Sequence, residues 1–460
     1  MVITMTEKAD ARQAALFVLQ EVETRGTFVD LALKAMLQKK KLSARDRALT
    51  TELCYGVIRY LLTLDWLIEI VTGRKASKID PWTRNILRLS FYQAAYLEKI
   101  PASAACFEGV ELAKKFSHKG AAKFVNGVLR GYLRKKDEIT FPDIKENASK
   151  YLSLKYSFPM WMVKRWIELF GIEEGEKYIS SLNKIAPLTI RTNTLKINRD
   201  ELEKILRKEG VKVKKGFFLP ESLALKNGKS LADLDSFKKG FFQVQSESSM
   251  LVSHLLDPQP GETILDSCSA PGGKTTHIAQ LMNNSGQIFS CDIYPHKIKL
   301  VEKNAKRLGI TIIEPVLSDG RRLPDDFKGI MDRALVDAPC SGLGVIRRKP
   351  DLKWKRKPAD FQALSKIQLD LLQEAADTLK PSGVLVYSVC TNEPEETREV
   401  FHSFLKNNPE FHPCDLTPYL PEGLKDEPTA REGYIDLLPN RHVLDGFFIA
   451  RWKKKGHVAF

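Results

Sequence analysis

Two cysteines stand where covalent chemistry could be done. Cys340 lies in Asp337-Ala338-Pro339-Cys340-Ser341-Gly342 and Cys390 in Tyr387-Ser388-Val389-Cys390-Thr391. Each follows an apolar run of strand type, Arg333 to Val336 and Val384 to Tyr387. Carbon 5 of a cytosine is a poor nucleophile. Adding a thiolate to carbon 6 gives an enamine-like intermediate whose carbon 5 can attack a methyl sulfonium. A proton must then leave carbon 5 and the thiol be expelled, so the chemistry needs a thiolate, an acidic group beside the ring and a base. A free thiol has a pKa of about 8.5 and must be activated. The other cysteines, at 54, 106, 268, 291 and 414, form no C-x-x-C pair and no cluster with histidine at ligand spacing. Neither a disulfide framework nor a metal site is expected, and a reduced, cytoplasmic setting fits. Cys268 and Cys291 read as packing residues.

A second constellation could hold a cofactor. The run Thr263-Ile264-Leu265 leads into Asp266-Ser267-Cys268-Ser269-Ala270-Pro271-Gly272-Gly273-Lys274-Thr275. A strand running through paired glycines into a helix lets backbone N–H groups approach a ligand. The spacing is neither that of the dinucleotide fingerprint nor that of the phosphate-binding P-loop. Asp292 closes the next apolar run and can accept hydrogen bonds from both hydroxyls of a ribose. Asp319 and Asp337 close the two after that. One such aspartate is as readily a helix cap, but four on successive strands suit an adenosine-type pocket.

These residues need a scaffold. From 241 to 455, apolar runs of strand length alternate with helix-length segments, which predicts a doubly wound, Rossmann-like sheet with its ligand beyond the carboxyl ends of the strands. Residues 145–240 mix short strands with charged helices and predict a small α/β domain. Residues 1–140 read as helix throughout, with apolar positions three and four apart and a start at Asp80-Pro81. The chain has 460 residues, a net charge of +15 and a pI near 9.3, which points to a polyanionic partner. No apolar stretch is long enough to span a membrane. Glu7 and Asp10 stand where the core of a leader segment would have to be. Basic residues follow Cys340 at Arg347, Arg348, Lys349, Lys353, Lys355, Arg356 and Lys357, with Trp354 among them. They suggest a surface for phosphates and stacked bases beside the rim. Lys114, Lys115, Lys119, Arg130, Arg134, Lys135 and Lys136 suggest another on the helical region.

The helical region resembles the NusB family of RNA-binding domains, in Arg45-Asp46-Arg47-Ala48, Glu52 to Arg59, Ile86 to Leu89, Tyr92-Gln93 and Phe124 to Arg130. Lys155 to Trp161 and Arg191-Thr192-Asn193 resemble the lead-in segment of RNA 5-methylcytosine methyltransferases. Asp266 to Thr275, Asp337 to Gly342 and Ser388 to Glu396 resemble the motifs of the same enzymes. The whole chain is similar to the bacterial 16S ribosomal RNA cytosine methyltransferases that join the two parts. The resemblance implies S-adenosylmethionine as cofactor, held by Cys268, Ser269, Ala270, Pro271, Gly272, Gly273, Lys274, Asp292, Asp319 and Asp337. It implies Cys390 as nucleophile, Cys340 in product release, and Asp337 also near the base. It further implies 16S ribosomal RNA, as a single-stranded loop, as the partner; a monomer is expected. Ser269 replaces the usual Ala and Val389 the usual Thr, and neither change removes a reacting group. A DNA cytosine methyltransferase would take its nucleophile from the Pro-Cys dipeptide instead. Transfer RNA is an alternative substrate, and a non-catalytic RNA-binding factor would have no use for the two cysteines.

Overall fold

The computed structural model describes residues 10–40, 42–226 and 231–456; Glu7 lies outside them. The chain forms two compact bodies, one made of the residues up to Lys184 with Arg348–Lys355, the other of Ile185–Arg347 with Arg356 onward.

The first body is helical, as the apolar periodicity predicts. Helix Pro81–Tyr96 runs through its core with Ile86, Leu87, Leu89 and Phe91 fully buried. Asp80 caps it by accepting from the Thr83 N–H at 3.1 Å, with Pro81 in the first turn. Its buried Arg88 meets both carboxylate oxygens of Asp65 at 2.6 and 2.7 Å. The α/β texture begins later than the predicted 145. Helices Ala148–Tyr156 and Met160–Asn183 belong to the helical body, where Phe158, Trp166 and Tyr178 pack edge to face. Short charged helices and short strands share one polar texture, and only the burial of these rings separates them.

The second body opens with strands β1 (Leu188–Thr192), β2 (Lys212–Lys215), β3 (Ser222–Lys226) and β4 (Phe242–Val244), an antiparallel sheet in the order β2-β3-β1-β4. Helix Arg199–Lys208 buries Leu202 and Leu206 against Ile190, Val213 and Phe242.

The larger sheet contains β5 (Thr263–Asp266), β6 (Gln287–Asp292), β7 (Ile313–Leu317), β8 (Met331–Asp337), β9 (Leu379–Val389), β10 (Phe411–Pro413), β11 (Tyr434–Leu437) and β12 (Phe447–Lys454). The order is β10-β12-β9-β8-β5-β6-β7, with β11 beside β12. Strands β5 to β9 are parallel, and β10 to β12 pair antiparallel. β5 is the switch point: the chain runs from it to β6 and β7 on one side and to β8 and β9 on the other. In doubly wound sheets the ligand binds at the strands' carboxyl ends beside such a point.

Candidate active site

Asp266, Asp292 and Asp337 end β5, β6 and β8, and Asp319 follows the end of β7. The predicted aspartates therefore share one rim. Gly272, at φ +91°, begins helix Gly273–Leu281, and a Cβ there would meet the Val301 Cα at 3.2 Å. The turn thus requires glycine, for conformation and for close approach. Ser269 is tied into this turn: Ser290 Oγ donates to its hydroxyl at 2.7 Å, and that hydroxyl donates to the Cys291 carbonyl at 3.0 Å. Asp266 is fully buried and accepts from Thr275 Oγ1 at 2.7 Å, while its Oδ1 has no hydrogen-bond partner. Burial pushes its pKa up to about 7.

Lys274 reaches across the switch point to Asp337 Oδ2 at 2.6 Å, and Ser388 Oγ donates to Asp337 Oδ1 at 2.7 Å. The cofactor turn, the end of β8 and the strand that carries Cys390 therefore converge on one carboxylate. Asp292 is largely buried and accepts from the Tyr294 N–H at 3.1 Å. Asp319 is gripped by Arg321, whose Nε and Nη2 meet its two oxygens at 3.0 and 2.7 Å.

The two rim cysteines meet. Cys340 Sγ and Cys390 Sγ are 3.3 Å apart, a contact too long for a disulfide. Three groups set this approach. Glu396 Oε2 accepts from the Ser341 N–H at 2.8 Å, Gln368 Nε2 donates to the Pro339 carbonyl at 3.0 Å, and the Gly344 N–H donates to the Cys390 carbonyl at 3.0 Å. Gly344 has no alternative, since a Cβ there would lie 2.2 Å from the Gly446 carbonyl oxygen. The hydrogen bond with Cys390, and burial after it, hold the Cys340 thiol well above its ordinary pKa. Either thiol can donate in this contact. Burial pushes Cys291 up to about 12 and raises Cys268 further, in keeping with packing roles.

The sequence marks Arg191 and Asn193 only through the resemblance of Arg191-Thr192-Asn193 to a lead-in segment, and gives no sign that they brace this site. Arg191 is fully buried, donating to the Gly273 carbonyl at 2.7 Å, to Thr276 Oγ1 at 3.0 Å and to Gln280 Oε1 at 3.1 Å. It fastens the antiparallel sheet to the helix of the cofactor turn. Burial lowers its pKa to about 9, which leaves it charged at neutral pH. Its neighbour Asn193 donates to the Gly240 and Leu308 carbonyls, both at 2.9 Å.

Glu221, His254 and His277 also gather here. Glu221 Oε1 lies 2.7 Å from His254 Nε2 and 3.1 Å from His277 Nε2. Ligands of a tetrahedral ion, each about 2.0–2.1 Å from it, would sit about 3.3 Å apart. The shorter contact is that of a hydrogen bond, so the cluster is a polar brace. His277 is fully buried; burial, then the charge of Arg191, lowers its pKa from 6.5 to about 3. Between those values the unfolded chain binds the proton and the folded protein does not. Stability should therefore fall as pH drops from about 6.5 toward 3, by up to about 1.4 kcal/mol per pH unit from this group. Denaturant titrations at pH 7, 6 and 5 should show that slope flattened in His277→Gln, and parallel slopes would refute it.

The basic stretch after Cys340 is a correction. Arg347 is buried, with Nε 3.3 Å from Asp445. Lys353 is fully buried, and Trp354 packs on the helical core. Only Lys349 and Lys357 among the named cations are exposed. Most of the stretch is structural, because helix termini supply partners that the sequence does not show. On the helical body, Lys114, Lys115, Lys119, Arg130, Arg134, Lys135 and Lys136 are exposed, as an RNA-facing surface requires.

A doubly wound sheet with this switch-point rim, following an all-helical region in the chain, is the architecture of a methyltransferase with an attached helical domain. Residues 253–453 match the family described as 16S rRNA methyltransferase RsmB/F, residues 9–134 the NusB family, and residues 158–232 the RsmF/B-like ferredoxin-like domain. The chain belongs to the ribosomal RNA small subunit methyltransferase B family. It is 43% identical to the probable methyltransferase B of Bacillus subtilis, over 98% of this chain and all of that one. It is 33% identical to that of Cronobacter sakazakii, with the same coverage. The crystal structure of PH0851 superposes with a TM-score of 0.79 at 29% identity, over 97% of this chain and all of that one. NSun6 from Pyrococcus horikoshii, solved with SFG, gives 0.58 at 27% identity, over 65% of this chain and 98% of its own. Among the described residues no helix is long and apolar enough to cross a membrane.

Proposed function

We propose that this methyltransferase acts on carbon 5 of a cytosine in 16S ribosomal RNA, with Cys390 as nucleophile and Cys340 serving product release. The observation that carries the reading is the 3.3 Å contact between the two cysteines at the rim that holds Asp337. A thiol poised on a second thiol suits a reaction that must both form and break a carbon–sulfur bond. The proposed cofactor is S-adenosylmethionine, which supplies an electrophilic methyl group when bound. The glycine turn with Gly272 at φ +91°, the buried Asp266 with an unpartnered oxygen and the rim position of Asp292 fit it. In this reading Asp337, held by Lys274 and Ser388, orients the base. Cys390 adds to carbon 6, and Cys340 keeps its proton until release. The substrate assignment rests on the names of the relatives and on the exposed lysines and arginines of the helical body. Bisulfite sequencing of total RNA from a deletion strain should show a 16S cytosine that has lost protection. Loss confined to transfer RNA would move the substrate, and no loss would sink the proposal.

A further inference from the structure

The basic stretch after Cys340 has a role that phosphate binding does not explain. The chain leaves the catalytic body after Arg347, and Arg348–Lys355 is built into the helical body. There its charges sit where helix ends want them. Asp351 accepts from the Val29 N–H at 2.9 Å, at the start of helix Val29–Lys39, whose cap residue Phe28 supplies no side-chain bond. Lys353 Nζ donates to the Arg59 carbonyl at 2.7 Å, and Trp354 Nε1 to the Ile58 carbonyl at 2.8 Å, both at the end of helix Ala44–Arg59. Lys355 Nζ donates to the Gly26 carbonyl at 2.6 Å, just past helix Ala11–Arg25. The last carbonyls of a helix lack partners within it and carry partial negative charge, while its first N–H groups carry positive. An acid at one start and lysines at two ends make an anchored segment. Lys353 is fully buried, 3.9 Å from the centre of the Phe158 ring.

The next residue acts on the rim. Arg356 Nε donates to the Ser341 carbonyl at 2.7 Å and Nη2 to the Cys340 carbonyl at 3.0 Å. With Glu396 holding the Ser341 N–H, the backbone that carries the Cys340 thiol is gripped on both its donor and its acceptor groups. The guanidinium is planar and presents its two donors as a rigid fork, so it fixes direction as well as distance.

We propose that Arg356 is a positioning residue for Cys340 in the product-release step. This rests on the two-cysteine reading above. In that step the carbon 5 proton passes to a base and its bonding pair restores the carbon 5–carbon 6 double bond. The pair of the carbon 6–sulfur bond returns to Cys390. A group that serves this step must stay within a fraction of an ångström of its place, since a shift of about 1 Å costs on the order of 100-fold. Nucleophilic attack by Cys390 does not use Cys340's backbone and should be spared.

The test uses the full chain with an RNA fragment containing the target cytosine. Turnover, the first-turnover methyl-transfer rate, cofactor affinity by calorimetry and covalent adduct on denaturing gels are measured, with Cys340→Ala and Cys390→Ala in parallel. Arg356→Ala should lose about tenfold or more in turnover. It should accumulate adduct toward the Cys340→Ala level, with first-turnover rate and cofactor affinity within about twofold of the parent. Arg356→Lys, which keeps the charge without the fork, should fall between. Wild-type turnover without adduct in Arg356→Ala would overturn the proposal. So would parallel loss of first turnover and turnover with no adduct, the mark of a merely damaged fold. An adduct-free Cys340→Ala would instead bring down the two-cysteine reading beneath it.

Discussion

Cys340→Ala should remain covalently attached to its RNA, and Cys390→Ala should form no adduct and transfer no methyl group. The contrast follows from the two roles proposed for thiols only 3.3 Å apart. The thiolate is the attacking species, and Cys340 is held well above its ordinary pKa by the hydrogen bond to Cys390 and by burial. In the proposed assignment the attacking thiol is Cys390. Without Cys340, attack and methyl transfer proceed and release stalls, leaving a species that survives denaturing electrophoresis. Without Cys390 the covalent route is closed, and the rate should drop by several orders of magnitude. Adduct formation should rise with pH until the attacking thiol is ionised. The opposite pattern, adduct with Cys390→Ala and none with Cys340→Ala, would assign attack to the Pro-Cys dipeptide, as in DNA cytosine methyltransferases.

Asp292→Ala should weaken binding of S-adenosylmethionine by about 1.5–3 kcal/mol, roughly 10- to 150-fold, the loss expected for hydrogen bonds to a charged acceptor. Asp292 ends β6 beside the switch point, and the Tyr294 N–H holds its Oδ1. A carboxylate already fixed by backbone loses little freedom when a ribose meets it. Asp319 makes a useful contrast, because Arg321 already engages both its oxygens. Asp319→Ala should cost less affinity than Asp292→Ala. Equal affinities for wild type and Asp292→Ala by calorimetry would place the ribose contact elsewhere.

Much of the site could be read without coordinates because local rules produce it. Alternating strands and helices put every strand's carboxyl end on one edge, so Asp266, Asp292, Asp319, Asp337, Cys340 and Cys390 had to approach a common rim. The glycines of the cofactor turn were legible because few other residues tolerate that backbone. The braces were not. Arg191, Gln368 and Arg356 lie 82, 29 and 15–16 residues from backbone groups they hold, and no periodicity or motif marks such a pairing.

The amino-acid sequence by itself determined the helical and doubly wound parts, the glycine turn and the line of acids and thiols. Each follows from hydrophobic period or from backbone sterics, which act over a few residues. Only the tertiary structure decided that the two cysteines touch and that the helices of residues 148–183 join the helical body. It also decided that the cations after Cys340 are mostly anchors for helix ends. A lysine has the same formula whether it faces phosphate, solvent or the last carbonyls of a distant helix. Which it faces depends on partners far away in the chain, and those are brought together only by folding.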